Sequence, residues 1–499
     1  MQKWFRWVLV AILVPAFFLS APQGAEAARD SLVIATENEP PSLTTVEHDS
    51  LASVFMNLLT YNGLIRITQD TLEPVPDLAA SYTVSGTEWT FKLKEGVLFH
   101  DGQALTASDV VASLLWAKTF PSSVNYTGKI AKVEELDPLT VKITTNGLYA
   151  GLLYDLGYHF NFIVPKKLID SKNNFNTNPI GTGPYKFVKW SRGDSLEFVK
   201  NDKYFDKKLM PSIDKVIWRF IPEGTSRTIA LEAGEVDFIY EVETTDIPRL
   251  KDNPDVKVTE VTSVVNWFLS LNKDVKPYDD VNFRQALSAG IDREAIVAAA
   301  LNGFGTPNSA AVPKGFKGFT DKNSVGYDPE KAKAHLKDWG GDPSKVTVPI
   351  ICSNETKVRV ATVIQENLSK LGIKVDIVTM DLASYLDKTG KGDYESAIVS
   401  WSPSNIVTYI QRYHSRRRAS NPGSLNDKEI DARVEKIEST LDEAERLALV
   451  ESTVELLNGL SPQPSLYQDI IFRAYNKDLE GVVPSATGYI NFNEVRWAK

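Results

Sequence analysis

The chain is 499 residues long, 43% hydrophobic, 24% charged and 10% aromatic, with a formal charge of −9. That balance excludes a collagen-like, low-complexity or polytopic membrane protein, and the acidic surface gives no reason to expect a nucleic-acid partner. The length suffices for about three structural units around a large buried core. Lys3 and Arg6 open the chain, an apolar stretch over 8–19 follows, broken by Pro15, and Ala25-Glu26-Ala27 is a small-x-small cleavage signal. The stretch is shorter than the ~20 residues a membrane-spanning helix needs. It therefore predicts a signal peptide over 1–27 and a mature chain from Ala28. Loss of Lys3, Arg6 and Glu26 moves the formal charge from −9 to −10. The single cysteine, Cys352, rules out an intramolecular disulfide and lies too far from the junction to carry a lipid there. A free protein of a bacterial periplasm, stabilised by core burial, fits these features.

The mature chain begins with a β-branched run over 31–36, ended by Glu39-Pro40-Pro41, and residues 89–94 alternate apolar with polar in the period of a half-exposed strand. Over 106–118 the period changes: Thr106 and Ser108 can cap, Asp109 lies in the first turn, and Val110, Val111, Leu114 and Leu115 share a face, which predicts a helix. Strands are expected again at 140–144 and 216–221. Later segments carry apolar spacings of three and four, predicting helices at 225–233, 282–290, 293–301, 329–339, 358–371 and 427–457. Strand-like pieces at 346–352, 374–379 and 396–401 lie between them. Helix followed by strand, as at Leu371-Gly372-Ile373, is the grammar of an α/β layered sheet.

No catalytic constellation emerges. The five histidines, His48, His100, His159, His335 and His414, never stand at the i, i+4 spacing of a zinc helix. There is no Gly-x-Ser-x-Gly elbow, Walker loop or Cys-x-x-Cys. Gly181-Thr-Gly183-Pro184 superficially resembles a phosphate loop, but Pro184 removes a backbone donor and no Lys-Ser/Thr follows; it predicts a tight turn before a strand at 185–188. Acid pairs such as Asp279-Asp280 and Glu134-Glu135 are what an acidic surface supplies. The chain is expected to be no enzyme and to hold no cofactor or metal.

A series of punctuated strings is more informative. Pro74-Val-Pro-Asp-Leu-Ala-Ala-Ser-Tyr82, then Trp89-Thr-Phe-Lys-Leu-Lys-Glu-Gly-Val-Leu-Phe-His-Asp-Gly102 and Leu105-Thr-Ala-Ser-Asp-Val110, resemble the signature of the extracytoplasmic solute-binding proteins, family 5, of peptide and nickel ABC importers. Pro179-Ile-Gly-Thr-Gly-Pro-Tyr-Lys-Phe187, Asn201-Asp-Lys-Tyr-Phe205, Glu235-Val-Asp237, Phe283-Arg-Gln-Ala-Leu-Ser288, Ile291-Asp-Arg-Glu294 and Tyr327-Asp-Pro-Glu-Lys-Ala332 follow in that family's order. The resemblance implies a two-lobed periplasmic binding protein fold of the large type II variant, with an extra subdomain on the first lobe and a hinge of two crossing strands. The first lobe would take 28–58, 175–273 and 480–499, the extra subdomain 59–174, and the second lobe 274–479. It further implies a monomer that captures a short peptide or peptide-like solute between closing lobes and delivers it to an ABC permease in the inner membrane. The alternative is a nickel or other metal chelate, or an anionic opine-like conjugate, on the same fold.

The resemblance also suggests ligand contacts. Peptide-binding relatives hold the ligand's amino group with a carboxylate soon after the first strand, matched by Glu39, and with an aspartate three residues after a tryptophan. Trp401 matches that tryptophan, but Ser404 stands where the aspartate would be. A hydroxyl does not replace a charge-assisted bond, so another acid takes the amine or the ligand is not an ordinary peptide. Arg412, Arg416, Arg417 and Arg418 surround Tyr413 and His414 and are suited to carboxylate or phosphate. Arg359, at the start of the 358–371 helix, falls where dipeptide-binding relatives place a partner for the ligand's carboxylate. Trp267, beside Asn266 near the expected lobe crossing, completes the candidates, with Tyr61 and Asn62 as weaker ones.

Overall fold

The computed structural model describes residues 29–48, 50–401, 405–417, 423 and 425–498. The expected signal peptide, Ser404 and Arg418 lie outside them. An eleven-stranded mixed sheet runs through both lobes. Its first-lobe part is built on Ser31–Thr36, which pairs in parallel with Lys215–Phe220 and with Phe238–Ile239; the hairpin Tyr185–Ser191 and Ser195–Lys200 extends it to one edge. Its second-lobe part sets Thr347–Cys352 parallel to both Lys374–Thr379 and Ser396–Trp401. Two long antiparallel strands, Val256–Leu271 and Ser465–Asn476, join the halves and are the hinge of the two-lobed fold. Among the described residues no helix is long and apolar enough to cross a membrane.

Each half buries its own core. In the second lobe the helices Val281–Gly290, Arg293–Ala300, Pro329–Trp339 and Glu355–Ser369 cover the sheet, burying residues such as Phe283, Leu287, Ile350 and Ile364. In the first, Phe55 and Leu59 of the helix Leu51–Thr60 pack on Trp218, Tyr240 and Phe492. A separate four-stranded sheet carries the extra subdomain, where Trp89, Phe91 and Leu93 point inward between exposed Glu88 and Lys92. The helix predicted over 106–118 is Ala107–Ala117, with a capping box closed by Thr106 and Asp109. The single helix expected over 427–457 is instead two, Lys428–Ser439 and Glu443–Leu460. Asp442 accepts a bond from the Glu445 N–H at 2.8 Å and starts the second helix, although the apolar period continues through the break.

The Gly181–Gly183 turn has a tertiary cause. The Gly183 N–H donates to the Thr60 carbonyl at 2.9 Å, and a Cβ on Gly183 would stand 2.4 Å from the Thr60 carbonyl carbon. Neither Gly181 nor Gly183 has positive φ. Glycine is required here for close approach of backbone to backbone rather than for a left-handed turn. His100, from the family's first signature, clasps the same turn: Nδ1 accepts from the Gly181 N–H at 3.4 Å and Nε2 donates to the Gly183 carbonyl at 3.0 Å. Two motifs far apart in sequence are thus one structural joint.

Candidate ligand-binding site

In each lobe the parallel strands end on the side facing the other lobe. Thr36, Phe220 and Ile239 close the first set; Cys352 and Trp401 close strands of the second. The register shows the gap between them: Val258 lies level with Ala474 and hence with the end of the first-lobe strands, whereas Asn266 lies level with Trp401. The hinge strands between these levels, about Thr259 to Val265 and Gln468 to Arg473, floor a cleft walled by strand ends from both sides. Open α/β sheets bind ligands beyond the carboxyl ends of their strands, which places the candidate site here.

The structure sorts the sequence candidates around this cleft. Asn266 pairs with Trp401 and Trp267 with Ser400, so the two tryptophans stand at the same sheet edge on opposite faces. On the Trp401 face, the Arg412 guanidinium lies 4.2 Å from the Phe268 ring centroid and 5.6 Å from that of Trp401, with Tyr409 and Tyr413 each at 5.7 Å. Trp401 itself is 42% exposed at the strand end. On the other face Trp267 stacks on Tyr467 at 5.8 Å and 15°, and its Nε1 donates to Asp469 Oδ1 at 2.8 Å. Lys357, in the first turn of the helix that follows Cys352, holds its ammonium 5.9 Å from the Trp267 centroid and 3.6 Å from that of Tyr385. Burial raises the Asp469 carboxyl above the usual carboxylate range, opposed by the indole hydrogen bond, and lowers the Lys357 ammonium.

The remaining candidates are engaged elsewhere. Glu39 Oε1 accepts from Trp190 Nε1 at 2.7 Å and Oε2 from the Gly193 N–H at 3.1 Å, with Arg192 at 3.7 Å, so both oxygens clasp the hairpin tip. Arg359 donates to the Ala300 carbonyl and to Thr356 Oγ1, each at 3.1 Å, which ties two second-lobe helices together. Arg416 pairs with Glu438, and Ser404 lies outside the described residues. Tyr61 and Asn62 line a different cavity, of about 450 Å³, between the helix Leu51–Thr60, the extra subdomain and the C-terminal segment; Arg66 and Asp77 are also on its wall. None of Glu39, Trp267, Arg359, Trp401, Arg412 and Arg416 lines it. Among the described residues no cluster of His, Cys, Asp or Glu could hold a metal.

Asp469 and Lys357, which flank Trp267 at the cleft, are residues that sequence reasoning missed, and Tyr467 beneath the indole belongs to the buried second-lobe core. Leu466, Tyr467, Ile470, Ile471 and Phe472 form an aromatic and β-branched run, a strand signal that would have exposed the second hinge strand and Asp469 with it.

Residues 73–420 match the bacterial extracellular solute-binding proteins, family 5 (middle region). The chain belongs to this family. It is 27% identical to heme-binding protein A of Haemophilus influenzae, covering 87% of this chain and 86% of that one. To the glutathione-binding protein GsiB of Pectobacterium atrosepticum it is 30% identical, covering 80% and 79%. The periplasmic binding protein DppA of Helicobacter pylori, solved with the peptide STSA, superposes with a TM-score of 0.74 at 26% identity, over 95% of this chain and 99% of that one. Membership explains why the family's strings reappear as joints of the scaffold, such as the His100 clasp and the Thr106–Asp109 capping box.

Proposed function

We propose that this family 5 protein is the periplasmic substrate-binding component of an ABC importer, exported by a signal peptide over 1–27 and working as a monomer. It closes its lobes over a short peptide or peptide-like solute and presents the closed form to an inner-membrane permease. In this reading the first lobe takes 28–58, 175–273 and 480–499, the extra subdomain 59–174 and the second lobe 274–479, and the chain performs no covalent chemistry. The observation that carries the reading is the cleft: strand ends from two lobes facing each other across the Val256–Leu271 and Ser465–Asn476 strands, with Trp267, Asp469, Lys357 and Trp401 at its edge. Flat indole walls beside one acid and one base suit a small molecule with an amide backbone and charged ends. A relative named for glutathione, itself a tripeptide, and a structural neighbour holding a peptide support the same class.

A second reading, an anionic conjugate or metal chelate, is favoured by Arg412 beside Trp401. Native mass spectrometry of the freshly purified mature protein, before and after denaturation, separates the two. Adducts at peptide masses are the expected result. A single anionic non-peptide or metal-containing adduct would replace the first reading with the second.

A further inference from the structure

The missing aspartate after Trp401 leaves open which acid receives a ligand's amine, and Asp469 stands beside Trp267 at the cleft with no charged partner among the described residues. Asp469 sits on a hinge strand between the two lobes, in a row with Tyr467 that continues the second-lobe core into the cleft. Its Oδ1 accepts from one neutral donor, the Trp267 indole, and among the described residues no hydrogen bond reaches Oδ2. Lys357 donates to Ser353 Oγ at 2.9 Å and otherwise faces aromatic rings. Neither group has an oppositely charged partner among the described residues, and burial works against the charge of each. Glu39, by contrast, has both oxygens engaged, and Arg359 and Arg416 are bound to their own lobe. A half-buried charge without a counter-ion destabilises a fold unless something else neutralises it.

We propose that Asp469 and Lys357, set around the Trp267 indole, are the two charged docking points of the cleft: Asp469 takes the ammonium of a zwitterionic ligand and Lys357 its carboxylate. This inference rests on the peptide-class reading above and names the ends of the ligand that the cleft recognises. Each contact is a charge-assisted hydrogen bond formed in a partly dry site, where the ligand supplies the missing counter-charge. Trp267 serves both, holding the Asp469 carboxylate by its N–H and offering its ring to the ligand between the two charges.

The test uses full-length mature protein and three pools of tripeptides: free, N-acetylated and C-amidated. Affinities are measured by titration calorimetry for the wild type, Asp469→Asn and Lys357→Met. Wild type is expected to prefer free peptides over each blocked pool by about 10- to 100-fold, the range a hydrogen bond to a charged group gives. Asp469→Asn should lose that factor for free and amidated peptides and no longer discriminate against acetylation, while keeping its preference for a free carboxylate. Lys357→Met should do the reverse. Loss of affinity for all three pools in equal measure would show a purely structural role and overturn the inference, as would both preferences surviving in both variants; the peptide-class reading would stand in either case. Failure of the wild type to bind any pool would overturn both.

Discussion

Asp77 shows what burial does to a single carboxyl in this molecule. It lies on the wall of the first-lobe cavity with 2% of its surface exposed, accepting from Asn62 Nδ2 at 2.9 Å, and burial pushes its pKa up to about 6. The native state therefore holds this proton more tightly than the unfolded chain does. The resulting stability is complete below the ordinary carboxylate value near 4 and is lost as pH rises through about 6. An asparagine keeps the acceptor for Asn62 without the charge. Asp77→Asn should be more stable than wild type at pH 7.5, by up to about 3 kcal/mol from the 1.36 kcal/mol carried by each pKa unit. The gain should disappear by pH 4. Urea unfolding at the two pH values checks this, and an unchanged gain at pH 4 would contradict it.

At the scale of elements, local sequence announced many of the helices and strands but neither of the two hinge strands as such, nor what joins the elements. The helix Pro329–Trp339 coincides with the predicted 329–339, because Asp328 caps it, Pro329 fits its first position and Gly340 ends it in the left-handed region. The break at Thr440–Asp442 escaped a reading based on apolar period, since the period itself does not change there. The Gly181–Gly183 turn was legible as a turn, whereas its partner, the end of the helix Leu51–Thr60, was not. Gly183→Ala would force a Cβ to 2.4 Å from the Thr60 carbonyl carbon, where neither side is a flexible side chain. Its cost should be about 3 kcal/mol or more. Gly326→Ala meets nothing within 4 Å and should change stability by about 0.5 kcal/mol at most. Urea midpoints of the two variants test the contrast; similar midpoints would remove the close-approach argument.

The whole molecule is two halves of one sheet that share two strands, an arrangement in which rotation concentrates in the span between the lobes. The Val256–Leu271 strand carries register irregularities against its partner between Thr262 and Asn266, at the level of the cleft, where paired hydrogen bonds resist bending least. Contacts made only in the closed form supply the free energy of closure. A tripeptide pool at about 100 times its dissociation constant should raise the unfolding free energy by about 2.7 kcal/mol. The same addition should reduce the radius of gyration in solution scattering. Stabilisation without contraction would mean that the ligand binds one lobe and the hinge stays open.

By itself the sequence determined the layered α/β class, the family and the bounds of several elements, because periodicity, capping residues and turn chemistry act over a few residues. It also named Trp401 through the family's tryptophan motif, Arg412 through its arginine-rich segment and Trp267 through its place near the expected lobe crossing. Only the tertiary structure decided that Glu39 is held at a hairpin tip and that Asp469 stands beside Trp267. Glu39 is drawn to a hairpin tip 151 residues away, and Asp469 is brought to Trp267 across 202 residues. Those distances along the chain leave no local signal. The side of the sheet on which each tryptophan stands follows from strand register, which long-range pairing sets.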